Sequence, residues 1–345
     1  MRYLLLAVCL LVSFVPQASA RVWHISPDGT GDAPTIDAGV DSAASGDTLL
    51  LADGVFTEPG VTGIRVIGKT IGFFSESGNP DACVIDCAGG AEWFCICFGG
   101  YDGAYRGGYG KVRGLTITNA GMAIEAWVSS SATVENCRFV NNTGQVVVAG
   151  GMAGEGYGSI CVNDCDFRSN PSTQLSCQYK CSATANRCVF YQGGRVLSVG
   201  DDAHGTISGC TLVGNSGGTG GVVRGADHDY LTSSIMISGC IIAFNIGTPV
   251  VCNMSLLGLS CTDIWGNTGG DYVGCAAGLD GAHGNFSADP LFCDYLGGDL
   301  RLQVTSPCLP GNHPLGTDCG VMGAVEEACE TATEPTTWGA IKAMY

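Results

Sequence analysis

The sequence predicts an all-β solenoid, a rod of short strands stacked in parallel, and three observations carry that prediction. First, one register recurs: an apolar residue, two further positions, Cys, one position, then a second apolar residue. It is read at Val134/Cys137/Phe139, Val162/Cys165/Phe167, Ala185/Cys188/Phe190, Ile207/Cys210/Leu212 and Ile237/Cys240/Ile242. A slipped copy stands at Cys261/Ile264, and an earlier one, Val112/Leu115/Ile117, has Leu115 in the Cys place. Second, the steps from Leu115 onward are 22, 28, 23, 22, 30 and 21 residues, a length that suits one coil of a stacked β-structure. Third, Asn recurs behind the Cys, at Asn142, Asn170, Asn215, Asn245 and Asn267, as expected of a turn in which each amide meets the one above.

A short strand cannot bury its apolar face alone, but stacked on its neighbour it extends one continuous core. The position two after the Cys is Ile, Phe, Phe, Phe, Leu, Ile in successive copies, so it points inward. The Cys shares that parity and is read as a small buried residue. A second apolar piece follows each Asn, for example Val146-Val147-Val148, Val196-Leu197, Val222-Val223 and Val250-Val251. A coil therefore holds at least two strands. About ten coils spaced ~4.8 Å apart make a rod on the order of 50 Å long.

The ends are read separately. Arg2, the apolar run Leu4 to Val15 and Ala18-Ser19-Ala20 have the order of a secretory signal peptide over residues 1–20. Residues 21–45 form an N-terminal cap: a strand from Val22, a Gly/Asp turn, then a short helix that Thr35 N-caps and that presents Ile36, Val40 and Ala43/Ala44 to the open end of the rod. Coils occupy 46–270. Residues 271–325, with Pro290, Pro307, Pro310 and Pro314, are a C-terminal cap, and 326–345 a linker and tail that can dock to a surface or sorting partner. The whole of 21–325 is one domain.

Composition narrows the partners. Hydrophobic residues make up 46%, too many for a disordered chain, and 54 Gly fit many tight turns. The net charge of −17 argues against nucleic acid or an anionic membrane surface. Nothing after the leader is long and apolar enough to span a bilayer. The expected location is secreted, at the cell surface or periplasmic. Export permits disulfides, but ladder Cys at strand spacing sit too far apart for one. Most are expected to be packed thiols, with bridges elsewhere: Cys308–Cys319 first, then Cys83–Cys87, Cys177–Cys181 and Cys275–Cys293.

Several segments resemble right-handed parallel β-helix proteins of the pectate-lyase-like superfamily. They are His24-Ile25-Ser26-Pro27-Asp28-Gly29-Thr30-Gly31-Asp32, Gly114-Leu115-Thr116-Ile117-Thr118-Asn119, Asp263-Ile264-Trp265-Gly266-Asn267 and Asp289-Pro290-Leu291-Phe292. The resemblance covers about residues 22–325 and implies the right-handed parallel β-helix fold. That fold hosts lyases, hydrolases, esterases, adhesins and inert stalks, so function must be read from a site. The Asn-Thr-Asp, Gly-His-Gly and Arg-Ile-Lys elements of the polygalacturonases that resemble this fold are absent; only Asp201-Asp202 and His204-Gly205 echo them.

Counting outward from each Cys aligns loops of neighbouring coils. Cys165 places Gln178, Tyr179 and Lys180; Cys188 places Asp201, Asp202 and His204; Cys210 places Arg224, Asp227 and His228. These groups form one strip. Asp201, Asp202, His204 and Arg224 are the candidates for acid–base work, and Lys180, Tyr179, Asp227 and His228 for binding. Asp201 and Asp202 would hold calcium if it bridges an acidic sugar; no cofactor is required otherwise. Two readings stay open. One is a non-catalytic surface or glycan-binding module whose partner is a polysaccharide or cell-surface glycan. The other is a polysaccharide lyase or glycoside hydrolase acting on an acidic polysaccharide such as pectin. A plain solvated loop edge is the unadorned alternative. Trp93, Tyr101, Tyr105 and Tyr109 around the Gly-rich stretch Gly99 to Gly110 either stack on sugar or cover the flank of the rod.

Overall fold

A computed structural model describes residues 20–325 and 328–329, apart from 58, 89, 91, 93, 102, 151–156 and 228–232. The chain winds through three parallel sheets. The first has ten strands, from Val22–Ile25 through Thr48–Leu51, Thr70–Ser75 and Tyr109–Arg113 to Leu256–Ser260. The second has nine, from Gly54–Phe56 to Asp263–Trp265, and the third eight, from Ile64–Val66 to Val250–Val251. Each regular coil visits them in that order: Ser131–Glu135, Arg138–Val140 and Val147–Gly150, then Ser159–Asn163 of the next. The three-strand coil and the period of the sequence agree.

The Cys register is a buried ladder. Cys137, Cys165, Cys188, Cys210 and Cys240 are free thiols and buried. The Cys137 N–H donates to Cys165 Sγ at 3.3 Å, and the same step recurs from Cys188 to Cys210 and from Cys210 to Cys240. Burial first, then the neighbouring thiols, pushes Cys165 and Cys210 well above the usual thiol range. Such groups are packing, not nucleophiles. Two residues on, Phe139, Phe167 and Phe190 stack with centroids 4.7 Å apart.

The Asn ladder is equally regular, though the left-handed residue is its predecessor. Asn141, Ser169, Gln192, Gly214, Phe244 and Gly266 have φ between 51° and 69°, and this turns the next side chain inward. The Asn142 N–H donates to Asn170 Oδ1 at 2.9 Å, and its amide to Ile117 O at 3.0 Å. Asn215, Asn245 and Asn267 repeat the pattern. The Cys188 coil has Gly193 in the Asn place, and Gln174 reaches across the gap to Asn215 Oδ1 at 3.1 Å. Those bonds satisfy backbone groups that no water can reach.

The helix Ile36–Ser42 forms as expected, with Thr35 Oγ1 accepting the Ala38 N–H. It lies so close to the rod that a Cβ on Gly39 would stand 3.0 Å from Ile25 Cδ1. At the other end, Phe292–Asp294, Asp299–Gln303 and Ala328–Cys329 make a small sheet. Three disulfides tie this cap down: Cys252–Cys275, Cys261–Cys319 and Cys293–Cys329. The expected Cys308–Cys319 pairing is therefore incorrect, as are Cys83–Cys87, Cys177–Cys181 and Cys275–Cys293. The reason is a one-residue slip. In the last coil Thr262 takes the buried ladder place, and Cys261 occupies the left-handed turn position with φ 47°. From there it meets Cys319, while Cys308 packs 3.4 Å from Asp263 Oδ2.

No helix among the described residues is long and apolar enough to cross a membrane. The leader and nearly all of the tail lie outside the described residues.

Candidate functional site

Strand parity builds the site. On the third sheet, Ser176, Ser198, Arg224 and Val251 are successive partners, and they alternate with the inward Leu175, Leu197 and Val223. They stand on the outer face. Beyond each strand the chain leaves through a loop toward the first sheet: Gln178 to Cys181, Gly200 to Ala203, and Gly225 onward. Loops and outer face together enclose a cleft of about 260 Å³, lined by Gln178, Tyr179, Arg195, Ser198, Gly200, Asp201, Arg224, Gly225 and Asp227, among others.

The structure thus brings together Tyr179, Asp201, Arg224 and Asp227 of the expected strip. Lys180, Asp202 and His204 do not line the cleft. Lys180 (φ 63°) and Asp202 (φ 55°) sit in left-handed turns, as does Tyr179 (φ 51°). His204 opens a first-sheet strand, with its Nδ1 2.8 Å from Ser234 Oγ. His228 lies outside the described residues.

Arg195 is the residue that counting from the Cys missed. It enters from the turn between the second and third sheets, at the opposite end of the strand from the loops. Its signal was a single charge standing directly before Val196-Leu197, where a buried strand begins. Arg195 Nε and Nη2 donate to Gly221 O and Gly217 O, each at 3.1 Å. Gly220 is packed against both arginines. A Cβ there would lie 2.3 Å from Arg195 Nη2 and 2.7 Å from Arg224 Nη1, so those nitrogens are no farther apart than the two distances together. Partial burial, then the Arg224 charge, draws the Arg195 guanidinium below its ordinary value, and Asp227 opposes this. Arg224 pairs with Asp227, whose other oxygen accepts from Asn253 Nδ2.

The donor set does not suit calcium held by protein alone. Among the described residues no three acidic, His or Cys side chains are grouped so as to hold a metal ion. The two carboxylates that line the cleft, Asp201 and Asp227, share it with two guanidinium groups. What the cleft offers is planar donors for an anion, with Gln178, Ser198 and a Tyr179 ring at its sides.

A family model described as "Right handed beta helix region" matches residues 93–242. No curated protein matches the sequence. Among solved structures the chain is similar to one titled "Crystal structure of pectate lyase Pel9A", at 15% identity and a TM-score of 0.58 over 88% of this chain and 97% of that one. The repeat match covers the Cys ladder from Cys137 to Cys240, and the structural match nearly the whole rod, so the chain shares the right-handed parallel β-helix fold of that structure.

Proposed function

We propose that this chain is an exported module that binds an acidic glycan in the cleft between Arg195 and Arg224. The juxtaposed guanidinium groups carry the reading. Like charges held close at a half-buried position repel, and an anionic ligand between them offsets that cost while accepting bidentate hydrogen bonds. Export is supported by the leader-like residues 1–20 and by the three disulfides, which suit an oxidising compartment. A binding role is favoured over acid–base chemistry because Asp202 and His204 stand outside the cleft and Asp227 is engaged by Arg224 and Asn253. Calcium in this reading arrives with the glycan's own anionic oxygens.

One observation favours a polysaccharide lyase as the second reading. Arg195 lines the cleft beside Arg224 with its hold on its proton lowered by burial and by that neighbouring charge, which makes it the candidate base of such a reaction, and the fold is similar to that of a pectate lyase. Both readings are tested by titrating polygalacturonate and neutral polysaccharides onto the protein, with and without calcium. Binding that weakens at least tenfold in R195A/R224A, without product, supports the module. A rise in absorbance from an unsaturated product assigns a lyase. Release of reducing ends without it assigns a hydrolase. No binding to any acidic polysaccharide refutes the proposal.

A further inference from the structure

The backbone nitrogen just ahead of the first strand points at a carboxylate that folding has taken out of water. Asp47 stands in the turn between the helix Ile36–Ser42 and the strand Thr48–Leu51, and it is only 6% exposed. Its Oδ1 accepts the Arg21 N–H at 2.8 Å. Its Oδ2 accepts Trp23 Nε1 at 3.0 Å and the Ala44 N–H at 2.9 Å. These donors, the Arg21 N–H foremost, hold the Asp47 carboxyl below its usual range. All three are formally neutral. The Arg21 guanidinium is engaged elsewhere, 3.8 Å over the Trp23 ring and 3.3 Å from Asp32 Oδ1. The Arg21 carbonyl accepts the Thr48 N–H at 2.9 Å. Arg21 is thus held by its nitrogen, its carbonyl and its side chain, although it lies ahead of the strand.

The sequence puts a cleavage junction at that same nitrogen. Ala18-Ser19-Ala20 closes the leader-like stretch with the small residues a signal peptidase requires, and the next bond is Ala20–Arg21. The strand ladder opens directly after it, with Val22 opposite Thr48, so a cut there removes no strand residue. We infer that hydrolysis of the Ala20–Arg21 bond turns the Arg21 nitrogen into an α-ammonium that Asp47 binds as an ion pair, a lock that only the processed chain can form. Water adds to the Ala20 carbonyl, the C–N bond breaks, Ala20 leaves as a carboxylate, and Arg21 keeps a protonated amine. The N–H already directed at Asp47 Oδ1 becomes charge-assisted, roughly twice as strong as a neutral bond. Because Asp47 also holds Trp23 and the Ala44 N–H, the pair ties together the first strand, the end of the helix and the strand Thr48–Leu51. An exported chain gains from this order: the precursor lacks the pair and stays easier to unfold until its leader is removed.

This inference rests on the export part of the proposed function and is independent of the cleft. Protein recovered from a secreting host is expected to begin at Arg21 on N-terminal sequencing. An exported chain that begins elsewhere overturns the lock and leaves export standing, whereas retention of the leader overturns both. The lock itself is tested with a chain released from a fusion so that it starts at Arg21. It is compared with the same chain acetylated at the α-amine and with one that keeps Ala18-Ser19-Ala20. Both comparison chains keep a neutral N–H in the same place. Amide hydrogen exchange across Val22–Ile25 is expected to be about tenfold slower in the free-amine chain. D47N should erase that difference, and the acetylated chain carries the test even where D47N does not fold. Equal exchange in the three chains, or a difference that survives D47N, overturns the lock.

Discussion

The regular coils and the C-terminal cap solve one problem by different means. In a coil each polar group of the turn is met by the same group one level up, as Asn215 is by Asn245 and Asn245 by Asn267. At the last level there is no next coil. Asp271 stands in for the missing Asn and accepts from the Asn267 N–H at 2.9 Å and from its amide at 3.0 Å. Asn285 closes the Cys ladder by accepting the Thr262 N–H and donating to Leu259 O. The difference teaches that stacking stabilises the middle of the rod without covalent help, whereas its end needs one-off side chains and three disulfides.

The comparison is broken most severely inside the coils. Phe167→Ala removes the middle ring of the Phe139/Phe167/Phe190 stack and should cost about 3–5 kcal/mol, seen as a lower urea midpoint. Replacing Cys261 and Cys319 by Ala opens a separation of 58 residues and should cost about 4 kcal/mol. Here limited proteolysis should release the cap while the far-UV signal of the coils persists; loss of both together would contradict the division.

The seam between the last coil and the cap, where Asp263 meets Ala288 and Cys308, is also expected to be pH-sensitive. Asp263 is fully buried, and burial raises its carboxyl to about 7. The folded state thus holds a proton that the unfolded chain releases near pH 4. The contribution of Asp263 to stability is fully present at low pH, falls as pH rises above about 4, and levels off above about 7. Between pH 5 and 8 the loss should be roughly 2–3 kcal/mol. Asp263→Asn should flatten that slope, and an unchanged slope would clear Asp263 of the effect. The smallest effect is expected for Asn215→Ala, which leaves the Gly193 N–H and the Gln174 amide without their shared acceptor, at about 1–3 kcal/mol.

Much of the fold was legible because the ladders keep phase. Phe139, Phe167 and Phe190 point inward as their parity requires, and Thr35 caps its helix. The disulfides were not legible, because sequence spacing does not tell which coil lies under the cap, and a one-residue slip at Cys261 changes the direction of its sulfur. The site was half legible. Counting from the Cys finds the right loop, so Tyr179, Asp201, Arg224 and Asp227 meet. It does not find facing: Lys180 and Asp202, one residue beyond Tyr179 and Asp201, do not line the cleft. Nor does it find a residue such as Arg195, which reaches the cleft from the other end of the strand.

The row of free thiols has a consequence for how the protein is made. Before folding, those sulfurs are open to the six cysteines that end up bridged, and any scrambled pair would trap the chain. A scrambled pair has to be reshuffled before its coil can close, so refolding is expected to be faster when the amino-terminal coils close over their thiols before the carboxy-terminal cysteines meet an oxidant.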